Sequence, residues 1–265
     1  IASLQSYKKV EKYANKLNHR KYLEKSQFLQ GYCLYKLRRI EDALFTFEKI
    51  DIHLAKFIDE TQFYSILSQI YQKLKRYNDS SKIIKKALSS LNQQGIKKED
   101  KQQDKKSVLI TIAEFHYSLG LNYYYIALEF GKKFYNKLRS EYFQKNLYNS
   151  LEQITKANTI WENLDQKSQI LSSKLIIANI YNILKKPDEE FKEFKEAYQL
   201  AEKLNNVTQK IKIIKKIIYI NEKKGDYNEN IEYLLEIMDS LNHYAYLDSI
   251  TIGRFHYLLG KNLFL

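Results

Sequence analysis

Four stretches of the chain place the same kinds of side chain at the same offsets, and this recurrence constrains the fold more than any single motif does. Counting each stretch from its own first residue, segment 24–57 carries Gly31, Leu34, Ala43, Phe47 and Ile50 at positions 8, 11, 20, 24 and 27. Segment 61–94 carries Tyr64, Leu67, Ser68, Tyr71, Tyr77, Ser80, Ile84 and Ala87 at 4, 7, 8, 11, 17, 20, 24 and 27. Segment 171–204 has Ile177, Ala178, Tyr181, Phe194 and Ala197 at 7, 8, 11, 24 and 27. Segment 211–244 has Ile214, Ile217, Tyr227, Leu234 and Ile237 at 4, 7, 17, 24 and 27, with Gly225 at its turn. Apolar spacing of this kind is helical, and strict alternation over strand lengths is rare. A small residue at position 8 lets a second helix approach the first, and one at position 20 reciprocates. Large residues at 4, 11 and 24 fill the space between the helices and toward the next pair.

This set of offsets resembles the tetratricopeptide (TPR) repeat, a 34-residue helix–turn–helix. The resemblance implies an all-α, right-handed superhelix of antiparallel helix pairs running through residues 1–265 as a single solenoid. The match is degenerate: Ser80, Glu190 and Asn230 stand where position 20 calls for Ala, and Trp is absent from position 4. A further repeat, 113–163, starts with Ala113, Leu119, Gly120 and Tyr123 but resumes only at Ser150, Ile154 and Ala157. Its insertion, 124–148, is rich in Tyr, Phe and Lys and predicts a lengthened helix pair. Residues 1–20 read as the second helix of an incomplete repeat. Residues 250–265 read as a first helix without its partner, ending on the apolar Leu263-Phe264-Leu265. The stretch 92–106, NQQGIKKEDKQQDKK, reads as a mobile loop or a solvated helical extension. Because the sequence opens on Ile1, it reads as a fragment or processed product.

Composition removes several function classes. One Pro and seven Gly in 265 residues leave little for an all-β fold or for a Gly-rich phosphate loop, and GxGxxG, GxxxxGK[ST] and GxSxG are all missing. A lone cysteine, Cys33, rules out an intrachain disulfide and a CxxC metal knuckle. With no run of 18 apolar residues and no signal-peptide pattern, a cytoplasmic, non-membrane protein is expected. The net charge of +13 points toward nucleic acid. Nearly all of it is Lys, however; Arg occurs only at 20, 38, 39, 76, 139 and 254, and base and phosphate readers favour Arg. Nucleic acid is therefore expected as an indirect or weak partner. His19, His53, His116, His243 and His256 form neither HxxxH nor HExxH, and pairs such as Glu189–Glu190 read as solvated helix faces. No enzyme, metal or cofactor is expected.

Function then rests on the groove face of the first helices, positions 2, 5, 9 and 12 of each repeat. These are Lys25, Phe28, Tyr32 and Tyr35; Gln62, Ser65, Gln69 and Gln72; Glu114, Tyr117, Leu121 and Tyr124; Ser172, Leu175, Asn179 and Asn182; and Lys212, Lys215, Tyr219 and Glu222. Amides donate and accept, and so pair with a peptide backbone of any sequence. Tyr rings take apolar side chains while their hydroxyls stay satisfied. Lys212 and Lys215 suit a terminal carboxylate. The same residue types would also populate any exposed helix face of an Asn-, Gln- and Tyr-rich chain. A carboxylate clamp of the chaperone type needs Lys at position 5 with Asn at position 9, and no repeat has that pair.

The array also resembles the peptide-pheromone receptors of Gram-positive bacteria, the RNPP group, through the stretch Ile176-Ile177-Ala178-Asn179-Ile180-Tyr181. That resemblance implies a cytosolic sensor that clamps a short peptide backbone with first-helix Asn side chains and relays it to an effector or a dimer partner. Asn179 is the main carry-over and Asn122 a secondary one. No N-terminal DNA-binding domain or helical bundle is recognised in residues 1–265. A scaffold or adaptor of a larger assembly is the alternative reading, and a basic nucleic-acid-binding repeat the third.

Overall fold

The computed structural model describes residues 2–52, 54–94, 102–133, 141–242 and 249–264. Among them the chain forms twelve α-helices and no strand, as the sequence predicts. The residues divide into two compact units, Ile1–Ile160 and Trp161–Leu265, where the sequence reads as one continuous array.

The first unit holds α1 (Ala2–Lys16), α2 (Arg20–Lys36), α3 (Ile40–Glu48), α4 (Glu60–Lys73), α5 (Tyr77–Gln94), α6 (Gln102–Lys133) and most of α7 (Glu141–Asn163). Consecutive helices pack on one another from α1 to α6. At the centre is an aromatic run: Phe28 meets Phe47 edge-on at 5.6 Å, Phe47 lies 5.4 Å from Phe63, and Phe63 meets Tyr64 at 5.7 Å. The small residues at position 8 do what the spacing predicts. A Cβ on Gly31 would lie 2.6 Å from the Phe47 ring, and one on Gly120 would lie 2.4 Å from Ile154. Each glycine therefore admits the large residue at position 24, or its equivalent, of the same repeat.

The departures from Ala at position 20 prove to be bonded. Ser80 donates to the carbonyl of Ser68 at 3.0 Å, and Ser150 to the carbonyl of Gly120 at 2.7 Å. In the second unit Asn230 donates to the carbonyl of Ile218 at 3.4 Å. In all three cases a buried polar side chain at position 20 reaches the carbonyl at position 8, so no donor is stranded at the tightest point of the helix pair.

The second unit holds the end of α7, then α8 (Lys167–Ile183), α9 (Pro187–Lys203), α10 (Val207–Lys224), α11 (Asn228–Asn242) and α12 (Ser249–Phe264). Helix α10 is its axis: Ile211, Ile213, Ile214, Ile217, Ile218 and Ile220 are all buried, because α9 and α11 both pack on it. Two lysines are buried with them. Lys174 reaches Glu193 at 3.3 Å and also Glu196; Lys210 reaches Glu202 at 3.1 Å and Glu236 at 3.0 Å. Burial alone would lower both ammonium pKa values. The carboxylate partners reverse this and hold them above the ordinary lysine value.

One turn recurs throughout. Asn18, Arg38, Lys75, Asp165, Lys185 and Asn205 all have positive φ between 49° and 60°, and Gly225 has φ 77°. Each non-glycine follows a leucine. At Arg38 the pattern is complete: its N–H bonds the Tyr35 carbonyl at 3.0 Å and that of Arg39 bonds the Leu34 carbonyl at 3.0 Å, which closes the helix as a Schellman turn. From Asp165 to Gly225 these turns fall every 20 residues. The helix pair is thus a 40-residue unit here, longer than the 34 residues used to align the segments, and the surplus extends the helices.

Of the stretch 124–148, residues up to 133 continue the 32-residue α6 and residues from 141 open the 23-residue α7; 134–140 lie outside the described residues. The expected loop 92–106 is helical at both ends, since α5 runs to Gln94 and α6 begins at Gln102. Gln and Lys continue a helix readily when no Pro intervenes. Residues 95–101 and His53, Leu265 and 243–248 also lie outside the described residues. Between α3 and α4 the chain is stitched to the start of α2: Arg20 donates to the Leu54 carbonyl, and Glu24 accepts the Phe57 N–H at 3.2 Å.

Candidate functional site

Helices α2, α4 and α6 are the first helices of their repeats, and their predicted groove positions meet side by side. The Tyr35 hydroxyl donates to Gln69 at 2.8 Å. Gln69 in turn reaches the Ser65 hydroxyl at 3.4 Å. A shallow cavity of about 250 Å³ opens beside them, lined by Ser65, Gln69, Glu114 and Tyr117 among others. Tyr32 and Tyr124 are half-buried on the same helices, and a Lys36 ammonium lies 5.3 Å from the Tyr32 ring centre. Burial raises the phenol pKa of Tyr35, Tyr117 and Tyr124, so all three remain protonated donors at neutral pH.

Gln72 turns inward instead. It donates to Asn122 at 2.9 Å and toward the Ser118 carbonyl at 3.4 Å. Asn122 corrects the sequence expectation outright. It is fully buried, and its amide donates to Ser80 at 2.9 Å. It sits one residue past Leu121 on α6, and 100° of helix rotation carries it from the groove face into the α4–α5–α6 junction. Phe28, also a predicted groove position, is core: it is buried and packs edge-on against Phe47.

In the second unit the first helices are α8 and α10. Asn179 is half-buried on α8, and none of its hydrogen bonds within the described residues is found. Asn182 is exposed, and its amide donates to both carboxylate oxygens of the buried Glu190 at 2.9 Å. The next repeat has an Asn–Glu pair of the same eight-residue separation one position earlier in its register, with the buried Asn221 donating to Glu229 at 3.2 Å. Lys212 is exposed, and Lys215 lies 5.5 Å from the Phe255 ring centre. Tyr219 is half-exposed beneath the Lys223 ammonium, 4.2 Å from its ring centre.

Three of these residues share one cleft. Asn182, Lys215 and Tyr219 line a cavity of about 860 Å³ where the C-terminal end of α8 and the start of α9 face α10. Pro187, Glu190, Ile220 and four more lysines complete the wall. The extra lysines, Lys185, Lys216, Lys223 and Lys224, were missed in the sequence because only Lys212 and Lys215 of this unit fall on the groove offsets. The signal that could have found them is the i, i+3, i+4, i+7 run Lys216, Tyr219, Ile220, Lys223 on one face of α10. Among the described residues no group of three His, Cys, Asp or Glu is placed to hold a metal ion, and no helix is long and apolar enough to cross a membrane.

No protein-family model matches the sequence, and no curated protein matches it. Solved structures do share its fold. The apo form of RapI aligns over 98% of this chain and 64% of its own length, with a TM-score of 0.67 and 15% identity. Aspartyl phosphate phosphatase F from Bacillus subtilis aligns over 95% and 59%, with a TM-score of 0.59 and 18% identity. BtubC from P. vanneervenii aligns over 93% and 94%, with a TM-score of 0.53 and 12% identity. The chain thus has the all-α, TPR-type repeat fold of these proteins, and it spans about three-fifths of the length of the two Rap-type structures.

Proposed function

We propose that this chain is a peptide-binding helical-repeat domain of a quorum-sensing-type regulator, acting by binding rather than by catalysis and passing the bound state to an effector or a second copy. The observation that supports it most is the second-unit cleft, in which an amide, a tyrosine face and a lysine from two successive first helices meet around 860 Å³. That volume lies within the range of small-ligand sites. An extended peptide would lay its backbone along α8, where the Asn179 amide is free to pair, and present its side chains to Tyr219 and the lysines. The fold shared with RapI is consistent with this but, at 15% identity, carries no residue roles.

A scaffold function has one observation in its favour. On α12, Tyr257, Leu263 and Phe264 are 72%, 64% and 91% exposed, an apolar surface suited to a protein partner.

Thermal unfolding against pools of five- to ten-residue peptides, at low and high salt, tests the proposal. A ligand at about 100 times its Kd adds roughly 2.7 kcal/mol of stability. One pool should raise Tm, and Asn179→Ala should then weaken that binding by about 1–3 kcal/mol, because it removes the partner of a desolvated backbone group. No shift with any pool would favour the scaffold. Binding of nucleic acid that collapses steeply with salt would favour a basic nucleic-acid repeat.

A further inference from the structure

The second-unit cleft has a surplus of positive charge that its own carboxylates do not absorb. Five lysines line it: Lys185, Lys215, Lys216, Lys223 and Lys224. Three of the carboxylates around it are ion-paired, and Glu190, the one carboxylate in the lining, accepts from a neutral amide that leaves its charge in place, so five ammoniums face one carboxylate. Glu190 takes both bonds from Asn182, Asp188 pairs with Lys224 at 2.6 Å, Glu189 with Lys186 at 3.6 Å, and Glu222 with Lys261 at 2.9 Å. Lys185 and Lys216 are exposed and make no ion pair among the described residues. Helix ends explain part of the cluster, since C-termini favour cations and Lys223, Lys224 and Lys185 lie at the ends of α10 and α8. They do not explain Lys215 and Lys216, which sit more than two turns before the end of α10, beyond the reach of its terminal dipole.

Besides Asn182 and Glu190, the wall between the ammoniums is apolar. Tyr219, Pro187 and Ile220 give it an apolar floor. A bare inorganic anion would leave that floor unused. A peptide carboxylate with a carbon stem uses both parts: its charge meets the ammoniums and its methylenes lie on Tyr219 and Ile220.

Resting on the peptide-binding function proposed above, we infer that the cleft of α8, α9 and α10 is an acid-selective subsite, and that the peptide this chain takes places an Asp or Glu side chain there. The lysines would supply charge without the bidentate geometry of Arg, so the subsite would read the presence of a carboxylate rather than its orientation.

The test uses the full chain and two pools of seven-residue peptides, identical except that two fixed positions are Glu in one and Gln in the other. Kd is measured by calorimetry at about 0.05 and 0.5 M salt, with inorganic pyrophosphate as a separate titrant. The Glu pool should bind at least tenfold more tightly at low salt. The double variant Lys185→Asn, Lys216→Gln should abolish most of that ratio. Both residues are exposed, so Tm without peptide should stay unchanged; Asn is used at 185 because it tolerates positive φ. Lys8→Gln with Lys9→Gln, on α1 in the other unit, removes the same net charge and should leave the ratio intact. Equal binding of the Glu and Gln pools would overturn the acid selectivity and leave peptide binding standing. Binding of pyrophosphate with no response to either pool would overturn both, in favour of a small phosphorylated ligand. A ratio that falls equally in the Lys8, Lys9 control would also overturn it, since net charge and not the cleft would then be responsible.

Discussion

The first-helix faces of the two units use similar residue types to opposite ends. In the first unit the predicted groove side chains largely satisfy one another: Tyr35 bonds Gln69, Gln69 bonds Ser65, and Gln72 bonds the buried Asn122. In the second unit the cleft is lined by ammoniums that repel one another, and of the five only Lys224 has a carboxylate partner among the described residues, Asp188. Amides and hydroxyls both donate and accept, so a row of them closes into an internal network. Lysines only donate, and a row of them stays open to an external acceptor. Internal polar networks fix how helices pack, whereas unpaired cations stay open to an external acceptor.

The largest expected effect breaks the comparison at its foundation, the core of the first unit. Phe47 is fully buried and bridges Phe28 to Phe63. Phe47→Ala should cost about 3–5 kcal/mol in chemical denaturation, and a smaller loss would mean the cavity beside Gly31 collapses. The next effect tests the two asparagines directly. Asn122→Ala should destabilise by about 1–3 kcal/mol, since it removes a partner of the buried Ser80 and of the half-buried Gln72, and it should leave peptide affinity alone. Asn182→Ala should also cost stability by releasing Glu190, but it should change binding in the cleft as well. If both variants changed stability and binding alike, the division between network and site would fail.

A pH titration sharpens the picture of the first unit. His116 on α6 bonds Gln153 on α7 at 2.8 Å. Burial pushes its pKa below the usual histidine value, against a smaller upward pull from Gln153. The unfolded chain therefore binds the proton more readily. Its contribution to stability is present above about pH 6.5 and is lost as pH falls through the folded value. Stability should decline more steeply between pH 7 and 5 in the wild-type chain than in His116→Asn, and parallel profiles would remove His116 from the account. The smallest effect concerns the recurrent turn. Lys75 holds φ 57° where Gly225 holds the equivalent place in the other unit. Lys75→Gly should stabilise by about 0.5 kcal/mol, the left-handed strain relieved less the entropy of glycine, whereas Gly225→Ala should destabilise by a similar amount.

Much of this was legible in the sequence because local rules carry it. The small residues Gly31 and Gly120 and the large residues Phe47 and Ile154 declared the helix pairs, since only one partner fits opposite a glycine. A second signal went unread: six turns place a leucine before a polar residue of positive φ, at Leu17-Asn18, Leu37-Arg38, Leu74-Lys75, Leu164-Asp165, Leu184-Lys185 and Leu204-Asn205. Those dipeptides would have shown the 20-residue half-repeat directly.

The candidate site was less legible, because a groove offset fixes an angle on one helix and says nothing of what the neighbouring helix presents. Sequence by itself determined that the chain is all-α, that its helices pair at fixed small-to-large contacts, and that its charge is carried by lysine. Only the tertiary structure decided that Asn122 is a strut, that Asn182 is tied to Glu190, and that lysines from the α8–α9 turn and α10 converge on one cleft. Helical periodicity is a property of consecutive residues, whereas convergence depends on the packing of helices whose residues lie up to 40 positions apart.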